Sequence, residues 1–387
     1  MTGKFNIIML NMSTMYERQQ GIVNRNFFVL RELAGRPEVA KILAVDFLPT
    51  GMPGRYGSGI RMAAYYVRNF WLTRGDTIEF GLRDRVILVE PNFYNFSTLR
   101  SDGVLEKIAQ LAGKYLNNGA ENILWSYNPF LAEAFSRLPA KIKIFDAVDN
   151  WLANPIYKNS RAQLQEGYDK IKRQADLIFT VSPELVSFFG SRAGVYCVPN
   201  GVDIEMFAAT SSVPRDLAQL ERPIIGYVGN IQERLDTDLL KILAEKNPEK
   251  SFVLIGPIRP TMAAKLPRMK NIYYLGRKPY AEAVKYLQNF DIGIVPHRTD
   301  AFVKSMDPLK IYDYLAAGLP VVSTVPPNDS SLNQWVELAS TPMEFHQKLN
   351  LALTQKDQRS QRQQAAQAHS WSNRMDKMWQ YIWTYQS

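Results

Sequence analysis

Residues 304–324 read 304-KSMDPLKIYDYLAAGLPVVST-324, and the rest of the chain is parsed outward from this stretch. Asp307 followed by Pro308 reads as an N-cap with proline at the first helical position. Gly318 stops the helix before the apolar run Val321 to Thr324. A short helix delivering a buried strand is one half of a β-α-β unit. At the start of such a helix the unpaired N–H groups and the helix dipole favour an anion. Lys310, inside the first turn, adds a full positive charge. Asp313 follows near the same face, where a carboxylate can accept hydrogen bonds from ribose hydroxyls. The spacing also fits a plain capped helix with a solvated lysine and aspartate, and the Asp307 carboxylate competes with phosphate for the cap.

Upstream and downstream, apolar β-rich runs alternate with helical patterns. The first series comprises residues 5–10, 42–47, 86–89, 122–125, 143–145, 177–181 and 196–198. After a polar, proline-containing stretch near residues 208–222 a second series begins: 224–228, 252–255, 272–274, 292–295 and 321–324. Such alternation predicts two parallel sheets of β-α-β units, and 387 residues exceed what one core usually supports. Trp371 onward has apolar residues at helical spacing and predicts a long terminal helix. The expected division is 1–205, 206–368 and a terminal helix over 369–387.

The composition is that of a folded globular chain, with 46% hydrophobic and 21% charged residues. The single Cys197 excludes an internal disulfide and, within an apolar run, reads as a strand residue. No apolar stretch reaches the roughly 18–20 residues that span a bilayer, and no signal-peptide pattern opens the chain, so a cytoplasmic protein is expected. The net charge of +9 is concentrated early: residues 1–75 hold ten Lys/Arg against four Asp/Glu, an excess of six. It peaks over residues 55–74, where Arg55, Arg61, Arg68 and Arg74 interleave with Tyr65, Tyr66, Phe70 and Trp71. Peripheral docking on an anionic membrane and an ordinary basic surface helix both fit this pattern. No motif supports nucleic-acid binding.

Glycine-containing turns follow several strands: Gly229-Asn230, Gly256-Pro257 and Gly276-Arg277. At the carboxyl ends of parallel strands such turns let backbone approach a nucleotide. No GxGxxG fingerprint follows the first strand and no Walker lysine motif is present, which removes the main support for dinucleotide and P-loop chemistry. Asp236-Thr237-Asp238 resembles a metal-binding DxD but is read as a helix cap. His297, His346 and His369 are too scattered for a metal site; His297, at a strand end, can line the donor pocket, and the other two are expected at the surface.

Four segments together carry a family resemblance: 175-ADLIFTVSPELVSFFGSRAGVYCVPNGVDIEMF-207, 223-PIIGYVGNI-231, 273-YYLGRKPYAEAVKYLQNFDIGIVP-296 and 307-DPLKIYDYLAAGLPVVST-324. In order and spacing they resemble the bacterial group 1, family 4-like glycosyltransferases, and within them the branch that includes teichuronic-acid-type enzymes. The resemblance covers roughly residues 120–325. It implies the α/β GT-B architecture: two Rossmann-like doubly wound domains facing a cleft, with a C-terminal helix crossing back to the first. It further implies transfer of a sugar from a nucleoside diphosphate, UDP favoured and GDP possible, to a glycan or lipid-linked acceptor in cell-surface polysaccharide synthesis. No metal and no cofactor is expected. The alternatives are an epimerase or phosphorylase on the same fold, or a non-catalytic nucleotide-sugar-binding subunit.

Carried over position by position, the family's paired acidic motif places its second member on Asp313 as a ribose contact. The first falls on Ser305, next to Met306. The diphosphate-binding positions fall on Gly229, Asn230 and Arg234; the following Lys-Gly of the family is absent, and Lys310 can supply the missing charge. The base is expected near Gly276 and Arg277, and Gly21 in the first β-α loop can approach the diphosphate through its N–H. Many relatives carry a histidine where this chain reads Asp146-Ala147-Val148-Asp149. Asp149 is the catalytic candidate and Asp146 the reserve, as general base in an inverting enzyme or acceptor-positioning group in a retaining one. The resemblance favours retention. Asp149 also fits a cap for a helix near Trp151.

Overall fold

A computed structural model describes residues 4–13, 23–46, 78–79, 85–89, 101–190, 192–354 and 356–386. Gly21 and the 55–74 segment lie outside them. Two compact units are formed. One comprises residues 1–18, 24–198 and 375–387, the other 19–23 and 199–374, so beyond Asn24 the chain passes between them at Val198/Pro199 and at Arg374/Met375. The first of these lies ahead of the polar stretch that marks the division in the sequence.

The first unit is built on β1 (Phe5–Leu10), β2 (Val39–Val45), β3 (Ile78–Glu79), β4 (Val86–Val89), β5 (Glu121–Ser126), β6 (Ile142–Ala147), β7 (Leu177–Thr180) and β8 (Val195–Cys197), in the order β3-β4-β2-β1-β5-β6-β7-β8. All neighbours run parallel except β3 with β4. The central strand β1 is buried at every position, as a strand sandwiched between two helical layers requires. Among its helices are α1 (Arg25–Gly35), α2 (Ser101–Tyr115), α3 (Arg161–Gln174) and α4 (Pro183–Phe189). The Ser182 side chain accepts from Leu185 N–H and proline follows, and Gly190 at φ +87° ends α4. The terminal helix, Trp371–Gln386, contributes Trp379 and Trp383 edge-on against Phe5, and Tyr381 stacks on Tyr196 at 3.8 Å.

The second unit has six parallel strands: β9 (Ile224–Val228), β10 (Ser251–Ile255), β11 (Ile272–Gly276), β12 (Ile292–Val295), β13 (Val321–Ser323) and β14 (Val336–Leu338), in the order β11-β10-β9-β12-β13-β14. Its helices include α5 (Thr237–Lys246), α6 (Tyr280–Leu287), α7 (Leu309–Ala316) and α8 (Pro342–Leu353). Asp236 caps α5 by accepting from Leu239 N–H at 2.9 Å, the capping role read for the DxD-like triplet. Two short strands escaped the sequence reading: β3 is two residues long, and β14 carries Glu337 at its centre, so neither shows an apolar run.

Candidate active site

In each sheet the strand order reverses beside the first strand, and open α/β sheets bind ligands at that reversal, beyond the carboxyl ends of the strands. In the second unit it lies between β9 and β12. These strands pair only at Ile225–Ile292 and Gly226–Gly293 and then part. The hydroxyl of Tyr314, from α7, fills the opening, accepting from Val228 N–H at 3.1 Å and donating to the Ile294 carbonyl at 3.3 Å. Gly293 makes this possible, because a Cβ there would sit 2.4 Å from the tyrosine ring.

Beyond the opening three nitrogen-bearing side chains converge. Gly229 turns at φ +141°, a conformation that favours glycine, and a Cβ on it would lie 2.7 Å from Lys310 Nζ and so displace the lysine head. Lys310 is buried, with its ammonium 4.8 Å from the centre of the Tyr227 ring. Burial first, then the Arg234 charge, holds its pKa well below the usual lysine range, against the pull of Asp313. His297 is buried as well, with no partner for Nε2 among the described residues; burial, Lys310 and Arg234 keep it neutral. Gln232, with its amide oxygen turned to the guanidinium, accepts from Arg234 Nε at 3.1 Å and Nη2 at 3.2 Å. These three nitrogen-bearing groups, with no carboxylate in a salt bridge to Lys310 among the described residues, form a place prepared for an anion.

The start of α7 adds to this. Asp307 is not its cap. Pro308 occupies that position and no side chain caps the helix. The Asp307 carboxylate is instead buried, accepting from Asn200 N–H, from the Tyr312 hydroxyl at 2.8 Å and from Asn328 N–H at 3.2 Å. The competition for the cap expected from the sequence is thereby removed, since neither this carboxylate nor any other side chain caps the helix. Asp313, half-buried, accepts from the Tyr280 hydroxyl at 2.9 Å, and burial pushes its pKa up to about 7. Gly318, at φ +76°, stops the helix as read.

Asn230 follows Gly229, its carbonyl accepting from Tyr227 at 3.1 Å. Gly276 ends β11, the edge strand, and the exposed Arg277 follows it, with β10 between that strand and β9. Ser305 is buried, its hydroxyl donating to the Phe302 carbonyl at 2.7 Å, and Asn328 holds the Met306 carbonyl at 2.8 Å. His369 is a correction to its expected surface position: it is buried, with Nδ1 2.7 Å from Arg374 Nη2 and 3.2 Å from Asp329. His346 is half-buried beside the Asn247 amide. Tyr227, Tyr280 and Tyr314 were missed, since a tyrosine in an apolar run reads as core until its hydroxyl finds a partner.

In the first unit Asp146 has no solvent exposure and accepts from Arg25 Nε at 2.8 Å and Trp125 Nε1 at 3.4 Å. Arg25 Nη1 also holds the Val198 carbonyl at 2.9 Å. This pair locks β6, α1 and the end of the chain's first passage through the unit, which gives the reserve candidate a structural task. Asp149 is half-buried in the turn after β6. It is not a helix cap: no helix begins at Trp151, and Asn150 is the residue whose side chain accepts from Leu152 N–H, at 3.1 Å.

Comparison with known proteins accords with this geometry. Residues 222–351 match the family model described as glycosyl transferases group 1. A Bacillus subtilis (strain 168) protein named as a teichuronic acid biosynthesis glycosyltransferase, TuaH, is 29% identical over 233 residues, 56% of this chain and 59% of that one, so the chain aligns with about three fifths of its relative. Sucrose-phosphate synthase from Thermosynechococcus elongatus shares the fold with a TM-score of 0.70 at 14% identity, covering 98% of this chain and 99% of that one. Anabaena Alr3699/HepE, solved with UDP and glucose, gives 0.64 at 15% identity over 97% and 98%. The chain thus has the GT-B fold, its residues 222–351 match the group 1 glycosyltransferase model, and over 56% of its length it is similar to the bacterial teichuronic acid relative.

Proposed function

We propose that the chain transfers a sugar from a nucleoside-diphosphate sugar, UDP favoured over GDP, to a glycan or lipid-linked acceptor in cell-surface polysaccharide synthesis. The observation that carries this reading is the buried Lys310, pressed against Gly229 and grouped with Arg234 and His297 at the strand reversal. A diphosphate there supplies the negative charge the group lacks. In the reaction the acceptor hydroxyl oxygen bonds to the anomeric carbon as the bond to the diphosphate breaks, and the hydroxyl proton passes to the departing phosphate oxygen if the centre is retained or to a general base if it inverts. Lys310, Arg234 and the α7 N–H groups stabilise the charge that develops on the departing phosphate. Asp313 takes the ribose hydroxyls, Gly276 and Arg277 border the base, and Gly21 is assigned a main-chain contact to the diphosphate.

Asp149, in the first domain, handles the acceptor: as general base if the anomeric centre inverts, as positioning group if it is retained, the outcome favoured here. The chemistry is metal-independent in this reading, since positive side chains and N–H groups take the place of a cation. A UDP-bound protein of the same fold and the teichuronic acid relative support donor class and pathway type. Work at the cytoplasmic face of the plasma membrane, through the arginines of residues 55–74, completes the proposal.

Incubating the protein with a panel of nucleotide sugars tests it. Release of UDP or GDP from one donor, faster with a glycan acceptor, is expected. Failure of every donor to bind or react would overturn it. Binding without turnover would favour a non-catalytic subunit, a reading to which Ser305, spent on its own helical turn where relatives have a glutamate, lends weight.

A further inference from the structure

At the carboxyl edge of the first sheet three aromatic rings meet beside Asp149. Phe130 sits in the turn Pro129–Leu131 after β5, Trp151 in the turn after β6, and Tyr157 in the helical turn Pro155–Ser160. Trp151 and Tyr157 stack face to face, with centroids 5.0 Å apart and planes 6° from parallel. Phe130 closes the group at 5.9 Å from Trp151 and 5.7 Å from Tyr157. All three are half-buried, whereas the aromatic residues of the neighbouring core, such as Phe145 and Tyr168, are sealed.

The cluster is firmly mounted. Trp151 N–H donates to the buried Tyr168 hydroxyl at 3.2 Å. Helix α3 approaches so closely at Gly167 that a Cβ there would lie 2.2 Å from the Pro129 carbonyl oxygen. Polar groups border the rings. Asn128 and Asn154 each use their side-chain oxygen to cap a turn, accepting from Phe130 N–H at 3.0 Å and Ile156 N–H at 3.1 Å. Their amide NH2 groups make no hydrogen bond to a described residue. Half-exposed aromatic rings, amide donors and a carboxylate are what a sugar ring asks for: its C–H faces lie against aromatic carbon, and its hydroxyls accept from amides and donate to carboxylates.

We propose that Phe130, Trp151 and Tyr157, with Asn128 and Asn154, form a subsite for a pyranose ring of the acceptor glycan, seated so that a hydroxyl reaches Asp149. This rests on the glycosyltransferase reading above and narrows its acceptor to one recognised by sugar rather than by lipid. The occupant is polar on its rim and apolar on its face, as the site is; an alkyl chain would leave Asn128 and Asn154 without acceptors.

The full chain labelled with 5-fluorotryptophan tests this, because its seven tryptophans give separate fluorine signals and Trp151→Phe assigns the one that matters. Titration with methyl hexopyranosides is expected to shift the Trp151 signal saturably, and hexanol is not. In transfer assays Trp151→Ala should raise acceptor KM about tenfold, the loss of one aromatic contact, with Trp151→Phe intermediate and UDP affinity unchanged. A Trp151 signal that ignores every glycoside, or that follows hexanol, overturns the subsite even if UDP binds normally. Glycoside binding in a protein that ignores all nucleotides would instead retain the subsite and sink the donor assignment.

Discussion

Replacing Lys310 with alanine removes a buried amine whose charged form the folded protein disfavours until an anion binds. A charge-assisted contact to a phosphate contributes about 1.5–3 kcal/mol, so UDP affinity should fall roughly 10- to 150-fold. The loss depends on pH in a definite direction. In the free protein burial and Arg234 favour neutral Lys310; a bound diphosphate favours the charged form. Binding therefore takes up a proton once the pH exceeds the free-state pKa, and wild-type affinity declines as pH rises, by up to tenfold per unit from this one group. Lys310→Ala should lose that dependence. Calorimetry with UDP in two buffers of different ionisation enthalpy reads affinity and proton uptake together. Because the depressed pKa marks a charge that the fold disfavours, the melting temperature of Lys310→Ala should match or exceed the wild-type value, which separates lost binding from lost structure. Equal affinity in the two proteins would remove Lys310 from the donor site.

The other expectations are these. Asp149→Asn should preserve UDP binding and lower transfer about 100-fold or more if the carboxylate is a general base, and wild-type turnover would refute that role. Asp146→Ala removes the carboxylate that accepts from the buried Arg25, at a cost of about 3–5 kcal/mol, to be read as a lowered midpoint in urea; an unchanged midpoint would mean that the pair does not hold the sheet. Asp313, with a pKa of about 7 before binding, accepts from ribose hydroxyls more strongly when ionised, so UDP affinity should weaken as pH falls below about 7, and Asp313→Asn should flatten that acid limb. Changing Arg55, Arg61, Arg68 and Arg74 to serine should release the protein from anionic vesicles at low salt, as each basic residue contributes about 1 kcal/mol at such a surface; a wild-type chain that never floats with the vesicles excludes membrane docking.

How much of this was written in the chain follows from the range over which each signal acts. The central strands were legible because β1 or β9 must bury both faces, which leaves an uninterrupted apolar run in sequence. The two-residue β3 and the glutamate-centred β14 lacked that run and depend on their neighbours for pairing. Helix α7 was legible in its stop at Gly318 and in the placement of Lys310 and Asp313 on it, since both follow from local conformation and helical period. The partner of the Asp307 carboxylate was not: local rules assign it to the nearest N–H groups, and only the fold brings Asn200 and Asn328 close enough to take it away. The two aspartates after β6 show the same division. Their residue types and strand-end position mark both as reactive, but Arg25, 121 residues away in sequence, determines that Asp146 is sealed in an ion pair while Asp149 stays within reach of solvent. Sequence determines what a residue can do; desolvation and partners from distant segments, which exist only once the chain is packed, decide what it does.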